Sequence, residues 1–221
     1  YSYKIKRRIK EVAGLIDTFE ITIPRLLLGI TALLILFSNI LFSGEHLITL
    51  NKGYLYYPLS MFAVAGLLGM LFCEDIFDKY LFLEFMSLPV YILVAFRLDE
   101  AKSTAAGYHY MIIGSIATMS ILSGFAVIYY QTGSLALTQA LNSETTASKA
   151  AAALILAGFL IKCGTFPAHS WLIPAHANTP SGNSAILSGI LIQSVLFTGL
   201  ESLQQLNLLQ RDSGILLIVF A

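Results

Sequence analysis

The chain has 221 residues, 57% of them hydrophobic and 12% charged, with basic and acidic side chains balanced at 13 each. A soluble domain carries about twice that share of charge, so the composition argues for a membrane protein. The zero net charge supplies no basic field for nucleic acid, and none is expected as a partner.

Residues 1–11 hold Lys4, Lys6, Arg7, Arg8 and Lys10, which read as a solvated tail or a contact with lipid headgroups. Apolar blocks follow at residues 26–42, 55–73, 80–98, 110–130, 150–163 and 184–200, and another begins at Gly214. A crossing helix needs about 20 apolar residues. The runs are continuous rather than alternating, which favours helices over barrel strands. The expected fold class is therefore all-α: a polytopic transmembrane helical bundle with one broken helix, a single membrane domain across residues 1–221. No Met begins the chain, and the run from Gly214 is too short to span. The expectation is a fragment, a processed product or one piece of a split protein.

Between the blocks, Ser43 to Asn51 and Asp99 to Ser103 read as polar turns. Glu74, Asp75 and Asp78 form an acidic turn joining two helices tightly. Thr132 to Lys149 is longer, with a short surface helix expected around Leu135, Leu137 and Leu141. Lys and Arg are more numerous on the side holding the tail, which by the positive-inside rule would put the tail in the cytoplasm; without the tail the two sides are nearly even, so the orientation stays open. Asp17 and Arg25 are expected at the interface, and Trp171 near the bilayer edge. Cys73 and Cys163 read as small buried hydrophobes.

Two charges sit inside apolar runs. Glu84 lies roughly 6 Å into the block at 80–98. A carboxylate at the hydrocarbon centre costs about 2.5–3.5 kcal/mol, so it is kept for a partner or a task; protonated interhelical glue is the alternative. Lys162 lies roughly 18 Å into the block at 150–163. Directly after it, Gly164, Pro167, Pro174, Pro180 and Gly182 interrupt any helix, as in the broken helices that line ion paths. The alternative for Lys162 is snorkelling to a headgroup. Desolvation disfavours an ammonium and a nearby carboxylate favours it, so a Glu–Lys couple in a membrane can switch a proton. His169 and His176 fall in the broken stretch, where a group titrating near neutrality suits a relay. Their spacing matches no metal site, and neither a metal nor a cofactor is expected. His109 is expected at a helix start.

The run Gly158-Phe-Leu-Ile-Lys162, then Phe166-Pro-Ala-His169-Ser-Trp171-Leu, Ala175-His176-Ala, Pro180-Ser and Ser184-Ala-Ile-Leu-Ser188-Gly189 resembles the antiporter-like membrane subunits. These are the proton-pumping subunits of respiratory complex I, their counterparts in energy-converting membrane-bound hydrogenases, and the large subunits of multisubunit sodium/proton antiporters. Asp75-Ile-Phe with Phe82-Leu-Glu84-Phe85-Met86-Ser87-Leu88 is similar to the family's helix bearing its key glutamate. Tyr129-Tyr-Gln-Thr-Gly133-Ser-Leu resembles the loop before the broken helix more loosely.

The resemblance implies two inverted five-helix repeats, of which this chain resembles the first, its blocks matching the family's third to eighth helices with a ninth beginning. Glu84 matches the glutamate of the family's fifth helix and Lys162 the lysine of its broken seventh. His169 and His176 match histidines beside that helix. Gln193 stands where the family often has a lysine on its eighth helix, and the order Trp171-Leu-Ile-Pro174 departs from the usual Trp-Leu-Pro. The implied function is ion translocation, of protons or sodium, within a larger membrane complex. Glu84 and Lys162 would be the switching pair, with His169, His176 and Gln193 lining the path. Other membrane subunits and the lipid bilayer would be its partners, and any redox chemistry would lie on those subunits. The location implied is a cell inner membrane or a mitochondrial inner membrane. A scaffold without transport and a partner in ion-coupled uptake are the alternatives.

Overall fold

The computed structural model describes residues 22–47, 53–97, 100–133 and 146–205. These form helices α1 (Ile23–Leu47), α2 (Tyr56–Phe72), α3 (Ile76–Val94), α4 (Ala101–Thr132) and α5 (Thr146–Lys162). A broken stretch follows, with α6 (Leu172–Asn178), α7 (Ser181–Ile186), a π-helical turn (Leu187–Leu191) and α8 (Ile192–Gln205). No strand occurs among the described residues, and the expected all-α class holds. The expected surface helix around Leu135 and the block from Gly214 lie outside them.

Among the described residues, four spans are long and apolar enough to cross a bilayer: Ile23–Ser43, Gly53–Phe72, Ala101–Gln131 and Ser181–Ser202. The outward faces of α1 and α4 are apolar, with Phe37, Phe42, Ile116 and Met119 all more than half exposed. So much exposed apolar surface suits lipid rather than water. Neither α3 nor α5 is among the four. The first carries Asp78, Lys79 and Glu84, and the second is 17 residues long and ends on Lys162. The helices weakest as bland spans are those bearing the intramembrane charges.

Polar residues set the helix ends. Asp75 caps α3, accepting from the backbone N–H of Phe77 at 2.7 Å. The acidic turn read from sequence is thus a cap with Asp78 in the first turn, where a negative charge meets the positive end of the helix dipole. At the other end of α2, burial pushes the Cys73 thiol up and leaves it a poor nucleophile. The expected turn at Asp99 to Ser103 is shorter than read, because α4 begins at Ala101, and His109 lies inside that helix rather than at its start.

The end of α5 is also sequence-encoded. Thr165 N–H donates to the Leu160 carbonyl at 3.1 Å and Gly164 N–H to the Ile161 carbonyl at 3.0 Å. This paired closure needs a left-handed residue, and Gly164 sits at φ +67°. The helix therefore stops directly after Lys162. Packing is pairwise, α2 with α3 and α4 with α5, while α1 covers α2 and α7, and α8 lies against α5. Gly158 lets α5 approach α4, since a Cβ there would meet the Ala117 carbonyl at 2.5 Å.

Candidate functional site

Residues 84, 87 and 91 of α3 fall three and four apart, so Glu84, Ser87 and Tyr91 share one helix face. Lys162, 2% exposed, closes onto that face from the last turn of α5. Its Nζ donates to Ser87 Oγ at 2.7 Å and to Tyr91 Oη at 2.9 Å, and it stands 5.2 Å from the centroid of the Tyr91 ring. The snorkelling alternative is excluded by this geometry, because the ammonium turns inward.

The cradle has a fixed polarity. Ser87 donates its own hydroxyl proton to the Leu83 carbonyl at 2.6 Å, so towards Lys162 it can only accept. The carbonyl end of α5 adds a favourable dipole for a cation. Glu84 is half-buried one turn nearer the start of α3. Among the described residues no ion pair joins Glu84 to Lys162; the lysine rests on hydroxyls with the carboxylate nearby on the same stripe.

Aromatic rings carry the site towards the break. Tyr91 meets Tyr110 edge-on at 4.8 Å, and Tyr110 stacks on Trp171 at 4.3 Å. Trp171 donates from Nε1 to the Ile161 carbonyl at 3.0 Å. It is 1% exposed, packed between helices, and is a second donor to a carbonyl that also accepts from Gly164 where α5 ends.

The remaining expected residues do not converge on Lys162. His176, half-buried on α6, bonds Ser184 Oγ through Nδ1 at 2.9 Å, spanning the break. His169 is exposed and stacks on Phe166. Gln193 is exposed on the opposite side of α8, lining a groove with Leu27, Thr31 and Ile35 of α1.

A second charged cluster was not anticipated. Arg25, 0% exposed, bonds Glu201 Oε1 through Nε at 3.2 Å and also through Nη2. Lys79, 1% exposed, bonds Glu201 Oε2 at 2.7 Å. Arg25 therefore lies in the first turn of α1, buried on a partner, rather than ahead of the helix. Its partner stands 176 residues away on α8, and no local pattern near Arg25 announces it. For Ser87 and Tyr91 a signal did exist, since they repeat at helical spacing from Glu84.

Gly114 makes room for the cradle, because a Cβ there would lie 2.2 Å from Tyr91 Oη. Gly114→Ala should push that hydroxyl off Lys162 and lower thermal stability in detergent. The cost is about 1.5–3 kcal/mol, that of a hydrogen bond to a charged group. With Tyr91→Phe already in place, the added methyl should cost far less; equal losses in both backgrounds would refute the contact.

The family model described as NADH:quinone oxidoreductase/Mrp antiporter, TM, matches residues 73–218. NADH-quinone oxidoreductase subunit N of Trichlorobacter lovleyi is 31% identical over 180 residues, covering 78% of this chain and 36% of that protein. The subunit N of Desulforudis audaxviator is 36% identical over 141 residues, covering 62% of this chain and 28% of its own length. The chain thus spans about a third of the curated relatives it matches. Among solved structures, a chain of the Mrp complex from Dietzia sp. superposes with TM-score 0.71 at 26% identity, over 85% of this chain and 35% of that one. A chain of Thermus thermophilus respiratory complex I shares the fold, with TM-score 0.68 at 22% identity, over 83% and 40%. The chain is a membrane protein belonging to the antiporter-like family of NADH:quinone oxidoreductase and Mrp antiporter membrane subunits.

Proposed function

We propose that the chain is the part of an antiporter-like subunit that moves protons or sodium ions across a membrane, without redox chemistry of its own. The observation that carries this reading is a lysine buried inside the bundle at a helix break and seated on hydroxyls of the helix that bears Glu84. The relatives named as NADH-quinone oxidoreductase subunits, and the solved Mrp and respiratory complexes, support both the activity and a setting among other membrane subunits. Residues 1–221 are read as one membrane domain.

Lys162 holds its charge on two acceptors and near one carboxylate. A movement that draws an ammonium from its acceptors and its carboxylate loosens its proton, and the return reloads it. Ser87 accepts only, so it favours the charged lysine. Tyr91 keeps a hydroxyl hydrogen and can also donate to a neutral amine. His176 sits at the break, where it is assigned to the exchange of ions with one side of the membrane. His169 and Gln193 have lesser roles in this reading, as groups that hydrate its edges.

The test is ion uptake into vesicles holding the assembled complex. A Glu84→Gln, Lys162→Met double variant should assemble and lose uptake. Assembly with unchanged uptake would instead support a scaffold without transport of its own.

A further inference from the structure

Serine and threonine hydroxyls in a membrane helix usually close onto a carbonyl one turn back. Most do so here: Thr31 onto Leu27, Ser60 onto Tyr56, Ser87 onto Leu83, Ser123 onto Met119 and Ser202 onto Thr198. Ser194 and Thr198 of α8 do not. They are 0% and 1% exposed, and neither Oγ nor Oγ1 has a hydrogen-bond partner among the described residues.

The backbone offers a reason at Ser194. The π turn Leu187–Leu191 precedes it, and Ile192 N–H reaches back to the Leu187 carbonyl, five residues away. The wider turn displaces the carbonyls that Ser194 would use, and such bulges recur at functional sites.

These hydroxyls lie on one face of α8, four residues apart, with Glu201 three residues further on. The steps along the axis are about 6 Å and about 4.5 Å. A single water is long enough to bridge either step, and buried polar atoms recruit water when the protein supplies two or more partners. The face is turned inward, for Ser194 and Thr198 are almost fully buried and its Glu201 end meets α1 and α3. Its far end is the carboxylate shared by Arg25 and Lys79.

We propose that Ser194 and Thr198 bind a short file of water molecules ending on Glu201, a hydrated route along α8 separate from the Glu84–Ser87–Tyr91 stripe. Its use by protons rests on the translocation reading; its hydration does not.

Two measurements on the assembled complex decide this. An electron-microscopy map that resolves ordered water should show density within hydrogen-bond distance of both hydroxyls. Dry apolar contact at both, or closure of both onto α8, overturns the file. Thr198→Val keeps the shape and removes the hydroxyl, so the complex should stay as stable as the parent or become more stable. Its ion uptake should fall about tenfold, the equivalent of one lost hydrogen bond along the path. Uptake at the parent rate overturns the route. If Thr198→Val is silent while Lys162→Met abolishes uptake, the route fails and the translocation reading stands. If Lys162→Met is also silent, the translocation reading itself fails.

Discussion

Removing the Ser87 and Tyr91 hydroxyls together should destabilise the protein more than removing the charge they hold. Lys162 is buried and donates to both. In Ser87→Ala, Tyr91→Phe the ammonium stays buried and loses two acceptors, each worth about 1.5–3 kcal/mol to a charged group. Lys162→Met keeps an unbranched side chain of similar length and takes away the cation. Ser87 retains its bond to the Leu83 carbonyl, so only the Tyr91 hydroxyl loses a donor, at about 1 kcal/mol. The order of thermal midpoints in detergent should therefore be parent, Lys162→Met, then the double variant. Combining all three changes should recover most of the loss, because no charge is then left stranded. A double variant as stable as the parent would mean that water or Glu84 takes up the ammonium without help.

The halves of this site differed in how plainly they could be read. Glu84 and Lys162 stand out because a charge inside an apolar run is costly and so has few explanations. Ser87 and Tyr91 do not, since hydroxyls are ordinary in membrane helices and only their spacing from Glu84 aligns them. The break after Lys162 was readable for a local reason: Gly164 supplies the left-handed residue that closes α5. The contact of Trp171 with the Ile161 carbonyl was not legible, because it forms only when the chain folds back after α5 ends. Gln193 occupies the expected helix yet lines the groove against α1. The π turn just before it shifts the register of side chains, and a pattern count at constant helical period cannot follow that shift.

Glu201 carries the other large expected effect. Its two carboxylate oxygens serve two cations that are both almost fully buried, one at the start of α1 and one in the first turn of α3. Breaking a buried ion pair by deleting one partner costs about 3–5 kcal/mol, because the remaining charge is left uncompensated. Glu201→Gln keeps the volume but takes away the carboxylate that Arg25 and Lys79 share. The loss should fall within that range and show as a lower midpoint and poorer recovery of folded protein. Lys79→Met should cost less, since Arg25 and Glu201 remain matched. In the Lys79→Met background Glu201→Gln should cost less than in the parent, because one cation rather than two then loses the carboxylate. Glu201 is 20% exposed on its side chain, so water reaches its outer edge and tempers each figure. A Glu201→Gln variant within about 1 kcal/mol of the parent would assign that solvated edge, rather than the pairing, the main part in holding the two cations. The cluster ties α1, α3 and α8 together at the end of the bundle away from the broken stretch. Loosening it should therefore disturb the seat of α8 before it disturbs the contact of Lys162 with α3.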